Sequence, residues 1–111
     1  MNNNISQNNK KRYLPHDINT RKYAVEMYID RVAASKNYQK EKYKDDSALR
    51  YYEREKERAI LHEDTRALLE LLLQMLAKRG EAETNRFIRY ELLKGSIPYE
   101  KAALIELQEN L

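Results

Sequence analysis

Two imidazoles, His16 and His62, are the first residues to weigh for catalysis or metal binding, and they lie far apart in the chain. Neither belongs to a His-Glu-x-x-His pair on one helix face, and no Glu precedes either by three positions as a di-metal helical bundle requires. His62 stands before Glu63 and Asp64 and reads as a surface or half-buried helical histidine; His16 beside Asp17 reads the same way. There is no cysteine, so disulfides and thiolate metal sites are out of reach, which fits a reducing compartment. Two glycines are too few for a phosphate-cradling loop. These residues therefore predict no catalytic group, no metal ligand, no cofactor and no enzyme.

The cations offer more. Lys10, Lys11, Arg12, Arg21 and Lys22 bracket the start of the first amphipathic segment, where free helix N–H groups can also meet a phosphate. Such contacts hold a protein on a duplex without reading its bases. A merely solubilising tail is the competing reading. A second group, Lys36, Lys40, Lys42 and Lys44, is interleaved with Tyr38 and Tyr43, the pattern in which rings stack on unpaired bases while ammonium groups follow the backbone. Glu41, Asp45 and Asp46 dilute this group toward a charged connector.

Charge is unevenly spread. Residues 1–44 hold ten Lys/Arg against four Asp/Glu, and residues 45–111 hold eleven against fourteen, so the overall +3 conceals a basic N-terminal pole. An anionic partner is to be sought there.

The elements that would position these groups are helices. With two Gly and two Pro in 111 residues there is little punctuation for a strand-rich fold. Residues 1–13 are Asn-rich and basic without apolar periodicity and read as a flexible tail, leaving 14–111 as one helical domain. No apolar segment suits a secretory signal, and the longest apolar run is about half of what a membrane span needs. A soluble, cytoplasmic protein is expected.

Val25, Tyr28, Ile29, Val32 and Ala33 recur at helical spacing, with Ile18 and Lys22 extending the stripe backward, and predict a first helix over 18–36 that stops near Asn37. Asp45, Asp46 and Ser47 offer a cap. From Ser47 to Arg79 no residue breaks a helix, which predicts a long central helix of roughly 50 Å ended by Lys78, Arg79 and Gly80. A C-terminal αα-hairpin follows, with arms near 82–94 and 98–111. Its short turn "KGSIP" invites comparison with a helix-turn-helix, yet Glu100, Glu106 and Glu109 against Lys101 alone suit packing rather than groove entry. The expected fold is all-α with about four helices.

Within the central helix, Leu68, Leu72 and Met75 form one seam and Leu69, Leu73 and Leu76 another. A helix apolar nearly all round must be covered from several directions. A chain of this length covers both seams with difficulty, so these six residues are expected at a homodimer interface, or else in the core of an intramolecular bundle.

The stretch "KRYLPHDINTRKYAVEMY" (residues 11–28) resembles the start of bacterial insertion-sequence transposases of the integrase-core type, through Arg12, Tyr13, Leu14, Pro15, Asp17, Thr20 and Arg21. The resemblance covers about a sixth of the chain and implies a lead into a DNA-binding helix-turn-helix. The chain departs from that family after residue 34, where a charged connector replaces the compact turn and basic recognition helix, and what remains has no room for an integrase core. The expectation is a non-catalytic, DNA-associated accessory or regulatory protein of a mobile genetic element or phage, with DNA and a second copy of itself as partners. The alternative is a helical protein-interaction module, an inhibitor, adaptor or assembly factor with no nucleic-acid role.

Overall fold

The computed structural model describes residues 5–58, 60–94 and 106–111, with side chains from residue 20 onward. All its regular structure is helical: α1 (Ile5–Gln39), α2 (Ser47–Glu55), α3 (Glu63–Arg79) and α4 (Glu81–Phe87), which continues into a π-helical turn over Ile88–Leu92. Among the described residues there is no strand, and no helix is long and apolar enough to cross a membrane.

The all-α class and the count of about four helices stand, but the longest helix is the first. α1 extends the predicted helix at both ends: its backbone is helical through residues 5–13, where a tail is expected, and through Pro15, whose ring removes one ladder bond. Its buried stripe is Arg21, Ala24, Val25, Tyr28, Val32 and Ser35. The predicted phase is thus corrected. Ile29, Ala33 and Lys22 face outward, because the helix turns the line through Ala24 and Tyr28 toward α3.

The continuous helix expected from Ser47 to Arg79 is also corrected: it breaks between Glu55 and Glu63. A straight rod would carry Ala48 and Tyr52 away from the core, whereas folding back buries both. α2, charged around most of its surface, has little else to hold it. Arg58 N–H closes the last turn on Glu55 O at 2.9 Å, and Arg66 Nη1 reaches the Lys56 carbonyl at 3.4 Å. His62 then starts α3 anew, its Nδ1 accepting from Asp64 N–H at 3.2 Å, with Glu63 and Asp64 at the positive end of the helix dipole.

α3 is the hub. Leu68, Leu69, Leu71, Leu72, Leu73, Met75 and Leu76 are all buried within the single chain, covered by α1, by α2, and by α4 with Ile88 and Leu92, with Leu107 and Leu111 packed beside them. Both leucine seams are therefore core. The argument that one chain cannot cover them, and with it the case for a dimer through this helix, falls: breaking the rod supplies the extra cover.

α3 ends as predicted. Gly80, at φ +89°, donates its N–H to Leu76 O at 2.9 Å and at once begins α4, where the Thr84 hydroxyl donates to Gly80 O at 2.8 Å. The π turn is closed by Leu93 N–H to Ile88 O at 3.0 Å, and brings Ile88 and Leu92 onto the core. Of the second hairpin arm, residues 98–105 lie outside the described residues; 106–109 are helical, and Arg79 Nη2 donates to Asn110 O at 3.5 Å, so the C-terminus returns beside the end of α3.

Candidate functional site: a basic and aromatic cleft

Where α1 ends, the chain turns sharply. Lys40 adopts a left-handed conformation (φ +53°) and begins the 3₁₀ turn Lys40–Lys42, after which Tyr43 N–H closes on Lys40 O at 3.0 Å. A second turn is held reciprocally: Lys44 N–H donates to Ser47 Oγ at 2.9 Å, and Ser47 N–H to Lys44 O at 3.0 Å. Ser47 thereby fixes Lys44 at the entrance to α2. Asp46 takes the N-cap position of α2 without a capping bond from its side chain.

In the corner between α1 and α2 lies a cleft of about 940 Å³. Its walls carry Tyr38, Lys42 and Lys44 from the end of α1 and the turns, and Arg50, Tyr51 and Arg54 from α2. Among the described residues Asp46 is the one carboxylate in the lining, and it sits 3.5 Å from Arg50. Tyr38 is 88% exposed and Tyr51 48%. The Arg54 guanidinium stands 5.6 Å from the centre of the Tyr51 ring, within cation–π range. Four cations, one anion and two wet phenol rings share this surface.

The expected phosphate-binding residues divide. Lys42 and Lys44 line the cleft, Lys40 is exposed beside it, and Lys22 is exposed on the outside of α1. Lys10, Lys11 and Arg12 lie on the helical backbone of α1, but their side chains are outside the described residues. Arg21 is only 8% exposed and engaged within the fold, because it falls on the inward stripe with Ala24 and Val25; its assignment to phosphate is corrected. Lys36 is corrected too. Its Nζ reaches both carboxylate oxygens of Glu81 at 2.8 and 3.0 Å, tying the end of α1 to the start of α4, and this hydrogen bond holds its pKa above the ordinary lysine value.

Tyr43 does not serve as a stacking ring either. It is half-buried against the core, 5.6 Å under Lys36 Nζ, and burial followed by the charge of Glu81 raises its pKa. Tyr28, on the inward face of α1, is raised more strongly by burial, with Glu81 again adding to it. Glu81 thus holds the Lys36 ammonium, which is not part of the cleft lining.

Arg50, Tyr51 and Arg54 are the members that sequence reasoning missed. Their helix is charged around most of its surface, and just past its end Arg58 meets Glu55 at 3.4 Å. The i,i+4 spacing of Arg50 and Arg54 with Tyr51 beside them was the available signal.

Among the described residues no group of three or more His, Asp or Glu is placed to hold a metal ion. The site and its scaffold define a small all-α protein with a basic, aromatic cleft at a helix corner. The chain belongs to DUF5662, a family of unknown function, whose model matches residues 5–75 and so takes in α1, α2, most of α3 and the whole cleft. No curated protein and no solved structure matches it.

Proposed function

We propose that this chain is a non-catalytic nucleic-acid-associated protein, and that its cleft between α1 and α2 receives the sugar-phosphate backbone. One observation supports the reading above others: Lys42, Lys44, Arg50 and Arg54 converge on a cleft in which Asp46 is the only opposing carboxylate among the described residues. Cations so grouped repel one another in the free protein and gain by neutralising a row of phosphates, with release of condensed counterions. The lead over residues 11–28, through its likeness to transposase termini, extends the proposal to an accessory or regulatory role in a mobile genetic element or phage.

Electrophoretic mobility of both duplex and single-stranded DNA across a salt series tests this. Affinity is expected to fall steeply with salt, and replacing Lys42, Lys44, Arg50 and Arg54 together by Ala is expected to reduce the logarithmic salt slope by about 3 to 4. Absence of any shift at low salt, with helical content intact, overturns the proposal and favours the protein-interaction module, for which Ile29 and Ile60, both exposed, are the apolar contacts to test first.

A further inference from the structure

We infer that the cleft is built for a single strand with unpaired bases rather than for a duplex, with Tyr38 and Tyr51 as its stacking platforms; this rests on the nucleic-acid reading above.

The tyrosines of this corner divide sharply. Tyr28, Tyr43 and Tyr52 are drawn into the core or packed against it, whereas Tyr38 is almost wholly exposed and Tyr51 about half exposed on the walls of one concavity. They come from different helices, Tyr38 from the end of α1 and Tyr51 from α2, so the fold itself brings them to one site. Exposed rings interleaved with cations are suited to unpaired bases: every base has a face to stack, and the chain beside it carries the phosphates that Lys42, Lys44, Arg50 and Arg54 can track. A duplex presents its phosphates outward and hides its base faces in the stack, so rings set inside a concave corner would find nothing to stack on. The size agrees. About 940 Å³ is at the upper end of small-ligand pockets and ample for a nucleotide or two.

Arg54 adds a positioning contact. Its guanidinium stands over the Tyr51 ring at 5.6 Å and so places a positive charge beside that ring. Arg50, held toward Asp46, is set at the same wall.

The experiment is fluorescence anisotropy with a labelled homothymidine strand and with the same strand paired to homoadenine, at one salt concentration, on the full chain. Wild type is expected to bind the strand at least tenfold more tightly than the duplex. Tyr38→Ala and Tyr51→Ala are each expected to weaken strand binding between about fivefold and a hundredfold while leaving duplex binding and the salt slope unchanged. Both side chains are exposed, so circular dichroism should show an undisturbed fold; Tyr38→Phe and Tyr51→Phe, which keep the ring, should restore strand affinity. A homouridine strand in a further arm reads the preference between DNA and RNA, and either sugar supports the inference provided the tyrosine variants lose it. Equal affinity for strand and duplex, or tyrosine variants that bind like wild type, overturns the stacking inference while the phosphate-binding reading survives. No binding to either probe at low salt overturns both.

Discussion

The Tyr52 hydroxyl donates a 2.8 Å hydrogen bond to Glu70 Oε2 and so joins α2 to α3 across the break that divides them. Arg31 of α1 lies over the same ring, 5.4 Å from its centre. One side chain therefore touches the three helices that form the cleft corner and its support. Burial, and then the hydrogen bond and charge of Glu70, push the Tyr52 pKa up to about 12.

The alkaline behaviour follows from that shift. The folded chain holds the Tyr52 proton where the unfolded chain, with a tyrosine pKa near 10, releases it. The stability this contributes is complete below about pH 10 and is lost as pH rises through about 12. Tyr28 and Tyr43, also raised by burial, act in the same direction. Urea unfolding at stepped alkaline pH should show the decline. Tyr52→Phe should make it shallower while costing about 1 kcal/mol at neutral pH for the lost hydrogen bond. Equal slopes for the two proteins would show that Tyr52 does not titrate as its surroundings require.

Gly80 allows a sharper test of backbone strain. Its φ of +89° with ψ of 172° lies where residues bearing a Cβ are rarely found, yet a Cβ built there would approach nothing nearer than Asp45 Oδ2 at 3.6 Å. Space is not the obstacle; the backbone is. Gly80→Ala should therefore destabilise by about 1–3 kcal/mol, read from chemical denaturation. A neutral result would mean that the corner between α3 and α4 relaxes without cost.

Gly80 was also the most legible feature of the chain, since Lys78 and Arg79 followed by Gly is a helix stop by local chemistry alone. The break before α3 was hidden for the opposite reason. His62, Glu63 and Asp64 are as acceptable inside a polar helix as at its start, and only the burial of Ala48 and Tyr52 against α3 decides between them. The phase of α1 is hard to read because Ile29 is apolar and Arg21 is charged; a long arginine can lay its methylenes inward and still satisfy its guanidinium, so the inward line runs through Arg21 instead. In the cleft, Tyr38, Lys42 and Lys44 are neighbours in sequence and could be grouped by eye. Arg50, Tyr51 and Arg54 join them only through the turn at Lys40 and the fold-back of α2, a tertiary fact that periodicity does not contain.

The leucine helix supplies a test of assembly. Leu72 is fully buried in one chain, so Leu72→Ala should cost about 2–5 kcal/mol, and Leu72→Asp should unfold the protein. Because α1, α2 and α4 of the same chain provide the cover, the unfolding midpoint of wild type and of Leu72→Ala should not depend on protein concentration. A midpoint that climbs with concentration would instead place a second copy against this core.

Lys40 separates stability from binding. It is the sole non-glycine residue at positive φ among the described residues, and it occupies the position after α1 at which glycine commonly ends a helix. A left-handed residue with a side chain is strained by roughly 1–2 kcal/mol, part of which glycine gives back through its freer unfolded chain. Lys40→Gly is thus expected to stabilise by about 1 kcal/mol, seen as a raised denaturation midpoint. Because Lys40 stands beside the cleft and not in its lining, the same change should weaken nucleic-acid binding by no more than one phosphate contact, a salt slope lower by at most about 1. If instead binding collapses while stability rises, the strained turn at Lys40 sets the shape of the cleft, and the position of Lys42 and Tyr38 depends on it.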